Sequence, residues 1–259
     1  MSTTPKVSVI VTTRNNHETL GNCLHSIRLQ SYEPIEMVVV DNGSTDDTKH
    51  IARRYTDLVW DKGPERSTQR NFAVEKSTGE YVVIIDSDME LAPHVIESCV
   101  AKMQEQPDLG GLIIPEESFG EGFWAQCKRL ERSFYVGIDW VEAARFFRRD
   151  LYEQVGGYDV AMVSGEDWDL SRRIGKLAPI GRVDAFIRHN EGRLSLIKTL
   201  GKKYYYAGLA KGFLQKNDVG SNLTAKEGPL NRYKLFFSKP GKLFRNPLLG
   251  AGVLFMKTC

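Results

Sequence analysis

The chain has 259 residues, 41% hydrophobic and 26% charged, with 23 Gly and 10 Pro; this is length enough for one large core or two small ones and excludes peptide-hormone, disordered and fibrous classes. Four cysteines at 23, 99, 127 and 259 make no close pair, so neither a zinc site nor a disulfide framework is expected and a reducing compartment fits. The net charge of +2 hides an asymmetry, because residues 198–259 hold twelve Lys and Arg against two acids, Asp218 and Glu227, leaving 23 bases and 31 acids elsewhere.

Val7 to Thr13 is an almost continuous β-branched run and predicts a strand, after which Leu20, Cys23, Leu24 and Ile27 recur at helical spacing within Glu18 to Gln30. A second apolar run, Ile35 to Val40, ends on Asp41, and the NGSTDDT that follows offers Ser44 or Thr45 as the cap of a helix through Ile51 to Tyr55. Leu58 to Trp60 predicts a short strand, Ser67 to Lys76 a helix, and YVVIID at 81–86 a further strand. Such alternation predicts an α/β fold with a doubly wound, mostly parallel sheet, whose ligands sit beyond the carboxyl ends of the strands.

After Pro93 a helix is expected to about Glu105, GLIIP at 111–115 as a fifth strand, and an amphipathic helix from Phe119 to Tyr135. Farther along, ARFFRR at 144–149 reads as a strand, GGYD at 156–159 as a turn and EDWDLSRRI as the start of a helix. GRVDAFIRHN reads as a strand finishing on His189, and Leu194 to Leu214 as a helix. No linker or repeat interrupts residues 1–190, which are expected as one unit with 191–259 as an appended helical tail. In that tail Tyr204, Tyr205, Tyr206, Phe213, Phe236, Phe237 and Phe244 mix with the bases, the pattern of an interfacial membrane element or a nucleic-acid patch. Pro247 to Met256 is apolar but far short of the roughly 20 residues that span a bilayer. No leader with a charged start and a long apolar core precedes the first strand, so a cytoplasmic location, peripheral at the membrane face, is expected.

Asp41, Asp86 and Asp88 fall where predicted strands end, and in a parallel sheet those ends converge on one crevice. Carboxylates two apart on an extended segment suit Mg2+ or Mn2+, which completes its shell with substrate phosphate oxygens. Asp-Ser-Asp is also an ordinary turn composition, and its place directly after YVVII is what favours a ligand.

In order and spacing, VSVIVTTRNN, VVVDNGSTDDT, RNFAVEKSTGEYVVIIDSDM, GGYD and GEDWDLSRR resemble the successive motifs of the family 2 glycosyltransferases, over roughly residues 7–190. The resemblance implies the GT-A fold, a nucleotide-binding αβα sandwich, and metal-dependent, inverting transfer of a sugar from a nucleotide-sugar donor. It implies that Thr12, Thr13 and Arg14 line the nucleoside pocket and that Asp41 bonds the base. A carboxylate accepts equally from the imide N–H of uracil and the N1–H of guanine, so UDP and GDP both stay open. By the same resemblance Arg70, and after it Arg66, contacts the donor, Asp86 with Ser87 lies near ribose and sugar, and Asp88 binds the metal; His189, ending a predicted strand with an imidazole that suits Mn2+, is a further candidate ligand. Glu166 and Asp167 fill the acidic motif on the acceptor side, Asp167 as the base, with Trp168 open to two readings, a wall for the acceptor or core packing.

The Q-x-x-R-W segment of processive members is replaced here by SRRIGK. Transfer of a single sugar is therefore expected, to a polyprenyl-linked lipid or glycan acceptor at an anionic membrane surface. A nucleotidyltransferase would show a Gly-rich phosphate loop after the first strand, which TTRNNHETLGNC lacks. A nucleic-acid module would leave Asp41, Asp86, Asp88 and Asp167 unexplained and meet repulsion from the acidic body, so no nucleic-acid partner is expected.

Overall fold

The structure is a computed structural model that describes residues 4–162, 164–197, 199–201 and 229–258. In chain order β1 (Val7–Thr13), α1 (Leu20–Arg28), β2 (Ile35–Asp41), α2 (Thr48–Arg53), β3 (Val59–Asp61), α3 (Arg66–Glu75) and β4 (Tyr81–Asp86) follow the expected alternation. A three-residue strand β5 (Met89–Leu91), too short to carry a period, precedes α4 (Val95–Glu105) and β6 (Gly111–Ile113). Next come β7 (Glu116–Glu121) and α5 (Gly122–Ser133), so part of the helix expected from Phe119 is extended. β8 (Phe146–Arg148), α6 (Arg149–Gln154) and α7 (Glu166–Gly175) lead to β9 (Ile180–Arg182) and β10 (Ile187–Arg193). The strand expected to finish on His189 is thus two strands, with His189 inside the second.

Contacts divide the chain into two compact units, residues 1–115 with 143–188 and residues 116–142 with 189–259. That division differs from a single boundary near 190, because 116–142 joins the C-terminal residues.

The first unit holds a seven-stranded sheet in the order β3-β2-β1-β4-β8-β6-β9. Neighbours run parallel except around β8, which is antiparallel to both β4 and β6. The central strands are apolar on both faces because both are covered. Val7, Val9 and Val11 of β1 and Val83 and Ile85 of β4 face one core with Leu20, Cys23, Leu24 and Ile27 of α1 and Val95, Ile96 and Val100 of α4. The intervening Ile10, Val82 and Ile84 face the other, with Ala73 and Val74 of α3 and Leu170 and Ile174 of α7. Burying each such side chain contributes about 1.5–3 kcal/mol, so the alternation pins the register. That register pairs Thr12 with Asp86 and Thr13 with Asp41 at the carboxyl edge.

In the second unit α5 packs with α8 (Pro229–Phe237), α9 (Pro240–Leu243) and α10 (Pro247–Thr258) around Cys127, Phe134, Phe236, Leu243, Val253 and Met256. Gly252 lets α10 approach α5 closely, since a Cβ there would collide with Cys127 and Phe123. Of the helix expected over 194–214, the part beyond 201, with Tyr204, Tyr205, Tyr206 and Phe213, lies outside the described residues. No helix among the described residues is long and apolar enough to cross a membrane.

Candidate active site

The crevice is built where β1, β2 and β4 end, from three loops tied to one another. Asn15 takes φ +46°, a left-handed conformation that Asn tolerates, and this turns its N–H onto Ser44 Oγ at 2.7 Å and its side-chain oxygen onto the Thr45 N–H at 2.8 Å. Asn16 bridges further, its N–H donating to Thr48 Oγ1 at 2.8 Å and its amide to Ser87 Oγ at 2.7 Å. The Ser87 carbonyl accepts from the Thr19 hydroxyl at 2.9 Å. Ser87 is therefore buried as a tie between loops, and Thr12 and Thr13 are buried beside it, with Arg14 exposed. The Thr13 hydroxyl meets no partner among the described residues.

Asp41 is only 1% exposed. Its Oδ2 accepts the Ser44 N–H at 2.7 Å and its Oδ1 the Ser44 hydroxyl at 2.5 Å. This corrects one expectation: Ser44 caps Asp41 and not α2, whose first residue Thr48 is held by Asp46 instead. Each Asp41 oxygen accepts one hydrogen bond from Ser44, so the carboxylate braces the loop and keeps a further lone pair on each oxygen.

Behind this edge lies a cluster of three carboxylates and three guanidinium groups. Arg70, on α3, is 0% exposed; its Nη2 reaches Asp86 Oδ1 at 2.8 Å and its Nη1 reaches Asp167 Oδ1 at 2.9 Å and Glu166 Oε1 at 3.4 Å. Arg66, one turn earlier, stands 3.1 Å from Glu166, and Arg145, just before β8, stands 3.5 Å from Asp86 Oδ2. Arg70 has no exposed edge and is engaged by these three acids; Arg66 is the more exposed of the two. Burial opposes the charge on Asp86, but Arg70, then Arg145 and Arg66, outweigh it and hold the carboxyl well below the usual range. For Glu166 burial comes first and the charge of Asp167 second, and together they push its carboxyl up against Arg66 and Arg70.

Glycine opens the way to this cluster. Gly165 takes φ +78° directly before α7, a conformation costly for a residue with a Cβ, and so Glu166 and Asp167 start the helix. Gly157, at φ +66°, lies so close to Asn71 that a Cβ would come within 2.5 Å of Asn71 Oδ1. Asn71 clamps the GGYD turn, donating to the Tyr158 carbonyl at 2.8 Å and accepting from the Tyr158 N–H at 2.8 Å and the Tyr152 hydroxyl at 2.7 Å. The clamped Tyr158 donates its hydroxyl to Asp167 Oδ1 at 2.8 Å and lays its ring 4.9 Å from the Arg70 guanidinium. Both donors meet the same oxygen. Asp167 is 27% exposed, and among the described residues its hydrogen bonds all fall on Oδ1. Asn15, Asn16, Asn71 and Tyr158 lie inside the motifs quoted above but without a role there, and Arg145 lies outside them; the fold gives each its part by bringing up partners distant in sequence.

No three His, Cys, Asp or Glu side chains among the described residues gather as a metal cage. Asp86 is turned onto arginines, while Asp88 is half-buried in the turn between β4 and β5. A single carboxylate at that edge fits a Mg2+ or Mn2+ that takes its remaining oxygens from a bound diphosphate and water. His189 belongs to the second unit, with Nδ1 3.6 Å from Glu116 Oε2. Trp168, beside Asp167 at the start of α7, is half-buried.

Comparison with known proteins accords with this architecture. The model of glycosyl transferase family 2 matches residues 8–161, a stretch that ends before Glu166 and Asp167. Glycosyltransferase AglE of Haloferax volcanii is 36% identical over 190 residues, 66% of this chain and 62% of its own length. The glucosyl-dolichyl phosphate glucuronosyltransferase of the same organism is 30% identical over 175 residues, 60% of this chain and 56% of its own. The chain thus spans only part of these longer relatives. Among solved structures, a Pyrobaculum calidifontis mannosyltransferase in complex with GDP-Man and Mn2+ matches with a TM-score of 0.66 at 19% identity, over 98% of this chain and 74% of its own. TarS of S. aureus matches with 0.60 at 24% identity, over 71% and 36%. Those likenesses speak for the fold, and the family model covers more than half of the chain; the protein belongs to glycosyl transferase family 2 and has the GT-A fold.

Proposed function

We propose that the chain is an inverting, metal-dependent glycosyltransferase that moves one hexose from a UDP- or GDP-sugar to a hydroxyl or phosphate on a polyprenyl-linked lipid or glycan at a membrane surface. The observation that carries this reading is Asp167, held on Oδ1 by Arg70 and Tyr158 with Oδ2 open. In inverting transfer the acceptor oxygen forms its bond to the anomeric carbon as the bond to the diphosphate breaks on the opposite face. Asp167 Oδ2 takes the acceptor's proton, and the nucleoside diphosphate leaves with the bonding electron pair. Arg70 and Tyr158 keep that carboxylate from rotating, and Glu166 and Asp86 complete the charge balance around Arg70.

Thr12, Thr13 and Arg14 with the Asp41–Ser44 loop would receive the nucleoside, Asp86 and Ser87 would fix the loop beneath ribose and sugar, and Trp168 would border the acceptor. Asp88 would hold Mn2+ or Mg2+, which when bound neutralises charge developing on the leaving diphosphate. Support for the donor class comes from neighbours solved with GDP-Man and with UDP-GlcNAc. Support for the acceptor class comes from relatives whose names specify glucosyl-dolichyl phosphate and a diphospho-undecaprenol glycan. The test is hydrolysis of UDP-, GDP- and dTDP-sugars with Mn2+ present, since slow hydrolysis needs no acceptor. Release of nucleoside diphosphate from one base class is expected; release from none of the donors, with the protein folded, would sink the reading.

A further inference from the structure

The C-terminal helices of the second unit carry an exposed apolar stripe. On one side of α10, Gly250, Gly252, Val253 and Met256 are buried. On the other, Leu248, Ala251 and Phe255, three and four residues apart, share a helical face in solvent; Leu248 is 75% exposed and Phe255 is half exposed. The corner leading into α10 adds Phe237 and Phe244, each also half exposed. A helix apolar around its whole circumference is ordinarily enclosed, so this side calls for an apolar occupant.

Charge identifies the occupant. Residues 229–258 include Arg232, Lys234, Lys239, Lys242, Arg245 and Lys257 and no acid at all. Lys234, Lys239 and Arg245 are exposed beside the phenylalanines. Lys242 instead donates to the Ser133 carbonyl at 2.6 Å, and Lys257 pairs with Glu131 at 2.5 Å, so these two hold the helices together. Aromatic and aliphatic side chains ringed by exposed cations match the boundary between headgroups and acyl chains.

We propose that the corner 237–248 and the Leu248–Phe255 face of α10 form a docking surface for an anionic lipid bilayer. Phe237, Phe244, Leu248 and Phe255 enter the boundary, while Lys234, Lys239 and Arg245 lie at the level of the lipid phosphates. This deepens the membrane reading proposed above by naming the surface.

The test is flotation of the full chain with phosphatidylcholine vesicles, with and without phosphatidylglycerol, for wild type, Leu248→Glu/Phe255→Glu and Lys239→Glu/Arg245→Glu. Leu248→Ser serves as a milder variant. Partitioning to anionic vesicles is expected to fall at least tenfold for either double variant and severalfold for Leu248→Ser, with added salt weakening the wild type. Each base near the surface is worth roughly fivefold. Hydrolysis of donor, which needs no lipid, is expected to stay unchanged in all of them, so failure of the surface and failure of the glycosyltransferase reading give different results. Equal flotation of wild type and variants, or none by wild type, would overturn the proposal. So would a wild-type dimer that Leu248→Glu/Phe255→Glu makes monomeric, which would assign the face to a second copy, or flotation abolished by a single-stranded oligonucleotide.

Discussion

Arg70 Nη1 lies 2.9 Å from Asp167 Oδ1, the oxygen that also accepts the Tyr158 hydroxyl at 2.8 Å. The carboxylate assigned to the acceptor's proton is therefore anchored through one oxygen only, by a cation that is itself wholly enclosed. Removing either anchor has a different consequence from removing the carboxylate.

Arg70→Gln leaves Asp86, Glu166 and Asp167 without their shared cation, and breaking a buried pair in this way costs about 3–5 kcal/mol. Lysine retains the charge but not the two-armed reach, so Arg70→Lys is expected to lose less than Gln and more than nothing. Urea unfolding of the three proteins checks the order.

Asp167→Asn is expected to lower transfer by about 10²- to 10⁴-fold with donor affinity retained. Tyr158→Phe removes one hydrogen bond, worth about 1 kcal/mol, and leaves Oδ1 on Arg70 alone. Its signature is a lower kcat at an unchanged KM for the donor, which separates positioning from general loosening. Near-normal turnover of Asp167→Asn would remove the base assignment.

Asp88→Ala shortens a half-buried turn side chain, and a stability change of about 1 kcal/mol or less is expected. Nucleotide affinity in this variant should no longer respond to Mn2+. Calorimetry with and without the ion decides it, and a wild-type response would move the metal elsewhere.

Glu131 gives the second unit a pH dependence. Burial opposes its charge, but Lys128 and Lys257, with the Tyr135 hydroxyl, hold its carboxyl at about 2 against an ordinary 4.5. A group depressed in the folded state adds stability above its unfolded value and loses it as pH falls through the folded one. The contribution, at most about 3 kcal/mol, is thus present above pH 4.5 and fades towards pH 2. Thermal melts at neutral pH and near pH 3 are expected to differ less for Glu131→Gln than for wild type.

The parallel core was legible because Val7 to Thr13, Ile35 to Val40 and Tyr81 to Ile85 are runs long enough to need covering on both faces, and their terminal Asp41 and Asp86 mark the functional edge. β5 and β7 were not: one is three residues long, and EESFGE shows no apolar alternation to separate it from a helix start. The direction of β8 is set by its two neighbours and not by FFR itself. Arg70 reads, by resemblance, as a donor contact, and its ion pairs with Glu166 and Asp167 were not legible because these lie 96 and 97 residues on. Ser44 reads as a helix cap, and only the fold shows that Asp41 claims it first.

The strand that runs against the rest has a further consequence. β6 and β8 are hydrogen-bonded neighbours, with Leu112 opposite Phe146 and the Arg145 N–H on the Leu112 carbonyl, so the chain departs for residues 116–142 and returns at adjacent points. An excursion closed at its base in this manner behaves as an enlarged hairpin loop, and lengthening it adds only about 0.6 kcal/mol of closure cost for each doubling. Residues added at the turns of the excursion leave Arg145 delivered beside Asp86. Its length is therefore free to vary between β6 and β8 while the Arg145–Asp86 pair keeps its place.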